Sequence, residues 1–321
     1  MFYSILIILI TSLIIYFSGK KFATASSEIG EYFNLPRSVK GATLDAVASS
    51  LPELMIGVFS IVFFKEFSIG VGTIAGSVLF NTLIIPSLAV LVSPVVFRVG
   101  REVMARDALF YSISVFVFLS AILYSNEWGF ALSIIFIAIY VWYVNMIISQ
   151  TEKYQKVHKK LLGEKISVVS TMVIAFFNII VMGVATYYLT HQAILLSQLM
   201  GVPAIIIGFS IVAVATSIPD AIIAVVNARQ GRTDEVLSHV FGSNIFNILI
   251  ALGLPLLLAS LLIGESVDVV AGGAGIVIGL LVSTVVVIYL IIDDYILSKK
   301  NAVIMLSGYL LFLGYIFYTT I

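Results

Sequence analysis

The sequence predicts an all-α polytopic membrane protein with ten transmembrane helices in two inverted five-helix repeats. Three observations predict it: an apolar composition, basic residues that alternate between connections, and a 13-residue segment that recurs five helices later. Of 321 residues, 61% are hydrophobic and 11% charged, and the mean hydropathy is +1.15. A soluble domain has roughly 45–50% apolar and about 25% charged residues. The composition excludes a soluble enzyme, a nucleic-acid binder and a disordered chain. At about 20 residues per span, the chain holds about ten helices and no large soluble domain.

Apolar runs fall at 2–17, 38–64, 69–92, 108–124 and 130–148, then at 167–189, 202–228, 236–262, 269–292 and 302–321. A polar stretch at 150–166 separates the sets, giving a first repeat at 1–149, a linker, and a second repeat at 167–321. The first run lacks a charged start and a small-residue cleavage site, so it reads as a helix of the mature chain.

Lys and Arg fix the orientation. Of the 17, only Lys65 falls in an even-numbered connection. The others occupy odd-numbered ones: Lys20, Lys21, Arg37, Lys40; Arg98, Arg101, Arg106; five lysines of 151–165; Arg229, Arg232; Lys299, Lys300. Positive charge marks the cytoplasmic face. The expected placement is a multi-pass protein of the cytoplasmic membrane, with both termini extracellular and 151–165 inside.

Residues 41–53 read Gly-Ala-Thr-Leu-Asp-Ala-Val-Ala-Ser-Ser-Leu-Pro-Glu, and 208–220 read Gly-Phe-Ser-Ile-Val-Ala-Val-Ala-Thr-Ser-Ile-Pro-Asp. Six of the 13 positions are identical. The match resumes with Gly-Ser-Val-Leu-Phe-Asn at 76–81 against Gly-Ser-Asn-Ile-Phe-Asn at 242–247. The second copy recurs five helices after the first, an odd offset, so the two cross in opposite directions. Inverted repeats with interrupted helices in matching places are a plan of secondary transporters, with the ion site near the midplane.

Each copy concentrates oxygen chemistry. Pro52 and Pro219 cannot donate a backbone hydrogen bond, which is expected to free carbonyls around 46–49 and 213–216. Ser49, Ser50, Thr216 and Ser217 sit beside these breaks, and Glu53 and Asp220 come directly after them. Ser77 and Asn81, like Ser243 and Asn247, are spaced i, i+4 and share a helix face. Carboxylates, hydroxyls and carbonyls are hard donors that suit Ca²⁺, Na⁺ or Mg²⁺. An acid at mid-span costs about 2.5–3.5 kcal/mol on insertion scales, and no Lys or Arg lies within a central span to offset it. Two cations competing for shared carboxylates give a physical basis for exchange. For Ser77 and Ser243, close helix packing is the rival to a ligand role, and the ligand role is favoured.

Asp45 has no counterpart, since Val212 stands in the second copy. It lies about 12 Å from Glu53 along a helix. It is either an accessory group that attracts cations or carries a proton, or half of a salt bridge to Lys40 or Arg37. The charges at 151–165, Asp234-Glu235 and Asp293-Asp294 read as solvated loops, and the glycines of 271–279 as helix-packing positions. Cysteine is absent and the three histidines form no zinc spacing. No phosphate-binding Gly-x-x-x-x-Gly-Lys-[Ser/Thr], Gly-x-Ser-x-Gly or His-Glu-x-x-His occurs, which leaves no motif for ATP or hydrolysis. The chain is not expected to be an enzyme or to carry a cofactor.

Ser-Ser-Leu-Pro-Glu (49–53) and Thr-Ser-Ile-Pro-Asp (216–220), each with a Gly-Ser-x-x-Phe-Asn downstream, resemble the two alpha repeats of the cation/calcium exchanger superfamily. The prokaryotic sodium/calcium exchangers are the nearest branch. The resemblance covers about 41–91 and 208–257. It implies alternating access around the second, third, seventh and eighth helices, with the first and sixth sliding past. Carried over by position, Glu53 and Asp220 bind Ca²⁺, with Ser49 and Thr216 beside them. Ser50, Ser77 and the Ala46 carbonyl form one Na⁺ site. Ser217, Ser243 and the Ala213 carbonyl form its mate, and Asn81 and Asn247 flank the centre. Asp220, in place of glutamate, is similar to the potassium-dependent branch, but Asn247 stands where that branch has an aspartate. Ala48 and Ala215 occupy positions that are often glycine. The short linker leaves no room for calcium-sensing domains.

The expected function is a secondary antiporter exchanging Ca²⁺ for Na⁺, with those ions as substrates and the lipid bilayer as its surroundings, and with neither nucleic acid nor ATP as a partner. Proton-coupled exchange of Ca²⁺ or another divalent cation, supported by Asp45, stays open. So does a passive cation channel lined by carboxylates.

Overall fold

The computed structural model describes residues 1–321 apart from 34, 125–126, 158–167, 263, 265–266, 269–273, 293 and 321. Helix α1 (Phe2–Tyr32) has 31 residues and α8 (Val168–Met200) has 33, and the two pack along one another. At 1.5 Å per residue each is about 45–50 Å long, well beyond the ~30 Å hydrocarbon layer. Both outrun the apolar runs at 2–17 and 167–189. Helical hydrogen bonding does not stop where hydropathy falls, so Lys20 and Lys21 ride on α1 rather than in a loop.

The second span is α2 (Arg37–Lys40), a π-helical turn at Gly41–Asp45, α3 (Ala46–Ser49) and α4 (Leu51–Val62). It bends by 48° at Ser50. Helix α5 (Phe67–Val92) comes next, then a π-helical turn at Val103–Ala108 leading into α6 (Leu109–Tyr124), and α7 (Phe130–Val157). Beyond α8 come α9 (Ala204–Ile207), a π-helical turn at Gly208–Val212 and α10 (Ala213–Arg229). The chain ends with α11 (Thr233–Leu249), α12 (Gly253–Leu262), α13 (Ala274–Ile292) and α14 (Lys299–Thr320). Among the described residues, seven spans are long and apolar enough to cross a membrane, or eight with the bent pair. The architecture is that of a polytopic helical membrane protein. The start of the 150–166 stretch continues α7, and the rest lies outside the described residues.

The π-helical turns at Gly41–Asp45 and Gly208–Val212 lie 167 residues apart, the offset of the sequence match. Past these turns the two copies diverge. The first breaks at Ser50, whereas Pro219 lies inside the continuous α10. This corrects the expected break at Pro219. A proline ring demands one lost hydrogen bond and a modest bend, which a helix packed by neighbours absorbs without ending.

Two short ribbons tie the halves together. Strand β1 (Phe97–Arg98) pairs antiparallel with β4 (Ile296–Leu297), and β2 (Glu127–Trp128) with β3 (Val267–Asp268). Moving 170 positions takes β1 onto β3 and Glu127 onto Leu297 of β4, so the two ribbons occupy matching places with pairings one residue apart in register.

Burial runs opposite to a soluble protein. Polar Thr73, Ser77, Asn81 and Thr82 of α5, and Ser238, His239, Ser243, Asn244 and Asn247 of α11, are fully enclosed. Apolar Phe116, Val169, Tyr289 and Leu311 face outward. Two glycines set how closely these central helices approach. A Cβ on Gly76 would stand 2.2 Å from the Phe209 carbonyl oxygen, and one on Gly242 would stand 2.6 Å from that of Ala42. Ala42 and Phe209 are themselves 167 apart. The glycine of each Gly-Ser-x-x-Phe-Asn therefore lies on the π-helical turn of the other copy. In 271–279, the described Gly275 and Gly279 abut Tyr315 and Phe312, as packing positions should.

Candidate cation site

The close approach at Gly76 and Gly242 brings the next residue of each motif to a carboxylate. Ser77 Oγ donates to Glu53 Oε1 at 3.1 Å, and Ser243 Oγ donates to Asp220 Oδ1 at 3.0 Å. One helical turn on, Asn81 Nδ2 donates to Asp220 Oδ2 at 3.1 Å, joining α5 to α10. Ser50 Oγ donates to Ser243 Oγ at 3.1 Å, which ties the bend of the first copy to the second.

Ser49 and Thr216 behave alike. Ser49 Oγ bonds back to the Asp45 and Ala46 carbonyls at 2.9 and 3.2 Å. Thr216 Oγ1 bonds to those of Val212 and Ala213 at 3.2 and 3.3 Å. Such back-bonding competes with the backbone ladder and bends helices. The Ala46 carbonyl is already engaged: it accepts the Ser50 N–H at 3.1 Å and faces Ser243 Oγ at 3.4 Å.

Several polar atoms here are buried with no hydrogen-bond partner: Glu53 Oε2, Asn81 Oδ1, Ser217 Oγ, and both amide atoms of Asn247. Leaving such a group unsatisfied costs about 1–3 kcal/mol, so several on one pair of motifs single out this region as the candidate site. Among the described residues, no Lys or Arg pairs with Glu53 or Asp220.

Asp45 stands apart from the carboxylates. Its Oδ2 is 3.6 Å from Lys40 Nζ, the expected salt bridge. Lys40 also reaches Glu235 Oε1 at 3.0 Å, and Arg232 reaches Glu235 Oε2 at 3.2 Å. Glu235 is therefore buried, not solvated as its loop-like sequence suggests; its partner Lys40 lies 195 residues away. Asp234 stays exposed, accepting the Gly100 N–H. Asp294 accepts the Ile296 N–H, and Asp293 lies outside the described residues. A cavity of about 330 Å³ separates α1 from α10, lined by Glu28, Glu31, Lys40, Asp45 and Pro219 among others. It reaches the residue before Asp220.

A second group, besides Glu235, escaped the sequence reading. His239 is fully buried, with Nε2 3.1 Å from Asp220 Oδ1. Its signal was its place four residues before Ser243, where the first copy has Thr73.

The sodium/calcium exchanger protein family model matches residues 3–149 and 170–318. The chain belongs to this family. Membership makes it a sodium/calcium antiporter by descent and favours neither proton coupling nor a passive channel. The exchanger is 26% identical over 261 residues to the inner membrane protein YrbG of Escherichia coli, covering 78% of this chain and 79% of that protein. It is 25% identical over 302 residues to the sodium/calcium exchanger MaX1 of Methanosarcina acetivorans, covering 81% and 84%. A solved structure of the sodium-calcium exchanger NCX_Mj, soaked with Na⁺ and Sr²⁺, superposes with a TM-score of 0.70 at 19% identity, covering 97% of each chain. The fold is shared.

Proposed function

We propose that the exchanger exports Ca²⁺ against an inward flow of Na⁺, with Glu53 and Asp220 as the carboxylates that both ions share. The unpartnered Glu53 Oε2 carries the reading, because a buried carboxylate oxygen without a donor or a basic neighbour calls for a cation. Ser49 and Thr216 flank Ca²⁺. Ser50, Ser77 and the Ala46 carbonyl hold one Na⁺. Ser217, Ser243 and the Ala213 carbonyl hold another, with Asn81 and Asn247 at the centre. Two carboxylates balance one Ca²⁺, whereas Na⁺ is served by neutral oxygens and a shared carboxylate.

We read the chain as ten spans in two inverted repeats, 1–149 and 167–321, with α13 and α14 as the last two. The matched π-helical turns and the ribbons at matching places support this reading. Helices α1 and α8, packed against each other, are the pair that slides. The cavity between α1 and α10 is the approach from the side rich in Lys and Arg, which is cytoplasmic, so both termini lie outside. The chain performs no catalysis, binds neither ATP nor nucleic acid, and carries no resident cofactor. Asp45 acts as an accessory group at the mouth of that cavity.

Binding of radiolabelled Ca²⁺ to the purified exchanger tests the site. Saturable binding displaced by Na⁺ and lost in Glu53→Gln is expected. Unaltered binding in Glu53→Gln would overturn the assignment.

A further inference from the structure

Helix α11 carries Glu235, His239, Ser243 and Asn247 at four-residue intervals, so all four share one face. Glu235 ends this column in the ion pair with Lys40, and Ser243 and Asn247 belong to the cation site. His239 sits between them. It is fully buried, its Nε2 is 3.1 Å from Asp220 Oδ1, and neither ring nitrogen is aligned with a hydrogen-bond partner. The same Asp220 oxygen accepts from Ser243 Oγ at 3.0 Å. In the first copy the matching residue is Thr73, whose hydroxyl is tied to the Ile69 carbonyl at 2.7 Å. The second half of the site thus has a nitrogen donor that the first half lacks.

We propose that His239 is a nitrogen ligand in the cation site and extends the substrates of the exchanger to first-row divalent cations such as Mn²⁺. Imidazole suits the later ions of that series, Fe²⁺, Ni²⁺ and Zn²⁺, and contributes little to Ca²⁺, which takes oxygen ligands; Mn²⁺, which also favours oxygen, is the most demanding member of the series for a nitrogen ligand. Metal bonds of about 2.0–2.2 Å to nitrogen and to carboxylate oxygen, set at a right angle, place the two ligand atoms roughly 3 Å apart. The His239–Asp220 separation fits that edge. Among the described residues no three His, Asp or Glu side chains form a ready-made metal cluster. The pair therefore works with neutral oxygens such as Ser243 Oγ, in keeping with transport rather than permanent retention. This inference rests on the placing of the cation site at Asp220.

The test uses the full-length exchanger, Mn²⁺ as the probe, and a fixed pH. Electron spin echo modulation of bound Mn²⁺ should show coupling to a ¹⁴N nucleus, and His239→Thr should abolish it. In Na⁺-loaded proteoliposomes, His239→Thr should weaken Mn²⁺ uptake relative to Ca²⁺ uptake by at least the roughly tenfold that loss of a ligand-supporting group costs. Mn²⁺ bound without nitrogen coupling would overturn the proposal, leaving His239 as a hydrogen-bond donor to Asp220. Na⁺-driven Ca²⁺ exchange with no Mn²⁺ binding would overturn it while sparing the central site. Absence of binding by both ions would remove the site itself. The wild-type spectrum decides the matter even if the variant fails to fold.

Discussion

Asn81 donates its side-chain amide to Asp220 Oδ2 across 3.1 Å, so a helix of one copy holds the carboxylate of the other. Its counterpart Asn247 makes no such bond, and Glu53 Oε2 stays unpartnered. The two halves of the site match in sequence but not in occupancy of their donors. Glu53 is consequently the carboxylate with an oxygen ready for an incoming cation, whereas Asp220 is held by Asn81 and Ser243.

Glu53→Gln and Asp220→Asn are each expected to abolish Ca²⁺ transport. Each removes a buried negative charge, and the loss should exceed the roughly 10–100-fold typical of groups that only support a ligand. Initial rates of Ca²⁺ uptake measure it.

Asp45→Asn should leave Ca²⁺ binding at the central site largely intact. Asp45 faces Lys40 at 3.6 Å, and its side chain makes no contact with either carboxylate. A Ca²⁺ titration of the variant against wild type checks this, and a large loss of affinity would make Asp45 a ligand.

Breaking the Lys40–Glu235 pair should destabilise the fold. Lys40→Met leaves the buried Asp45 without its cation and Glu235 with Arg232 alone, at a cost of about 3–5 kcal/mol. Converting both Lys40 and Glu235 to methionine should recover only part of that loss, because Asp45 stays unpaired and Arg232 loses its partner. Unfolding midpoints of the two variants in the same detergent provide the comparison.

Gly76→Ala and Gly242→Ala should each lower stability by about 1–3 kcal/mol. The added methyl would meet backbone oxygen at 2.2 and 2.6 Å, and backbone cannot rotate away as a side chain can. Gly308→Ala, where nothing lies within 4 Å, is the control.

The helices and the repeat were legible because hydropathy and a fixed offset are local properties of the chain. Helix ends were less so: Lys20 and Lys21 read as loop residues, yet α1 continues to Tyr32. Equal sequence at Pro52 and Pro219 suggested equal breaks, but only the first helix bends enough to divide. The structure pairs Ser77 with Glu53 and Ser243 with Asp220, contacts between helices that the motifs do not specify. Glu235 and His239 were missed because their partners, Lys40 and Asp220, lie on other helices. A solvated acid and a buried one have the same sequence. Comparing Thr73 with His239 position by position would have exposed the second.

Ca²⁺ uptake into Na⁺-loaded proteoliposomes, against choline-loaded controls with pH clamped, tests the central claim most directly. Uptake that requires internal Na⁺ and proceeds against the Ca²⁺ gradient is predicted. Calcium entry that is indifferent to Na⁺ and tracks a pH gradient would contradict it.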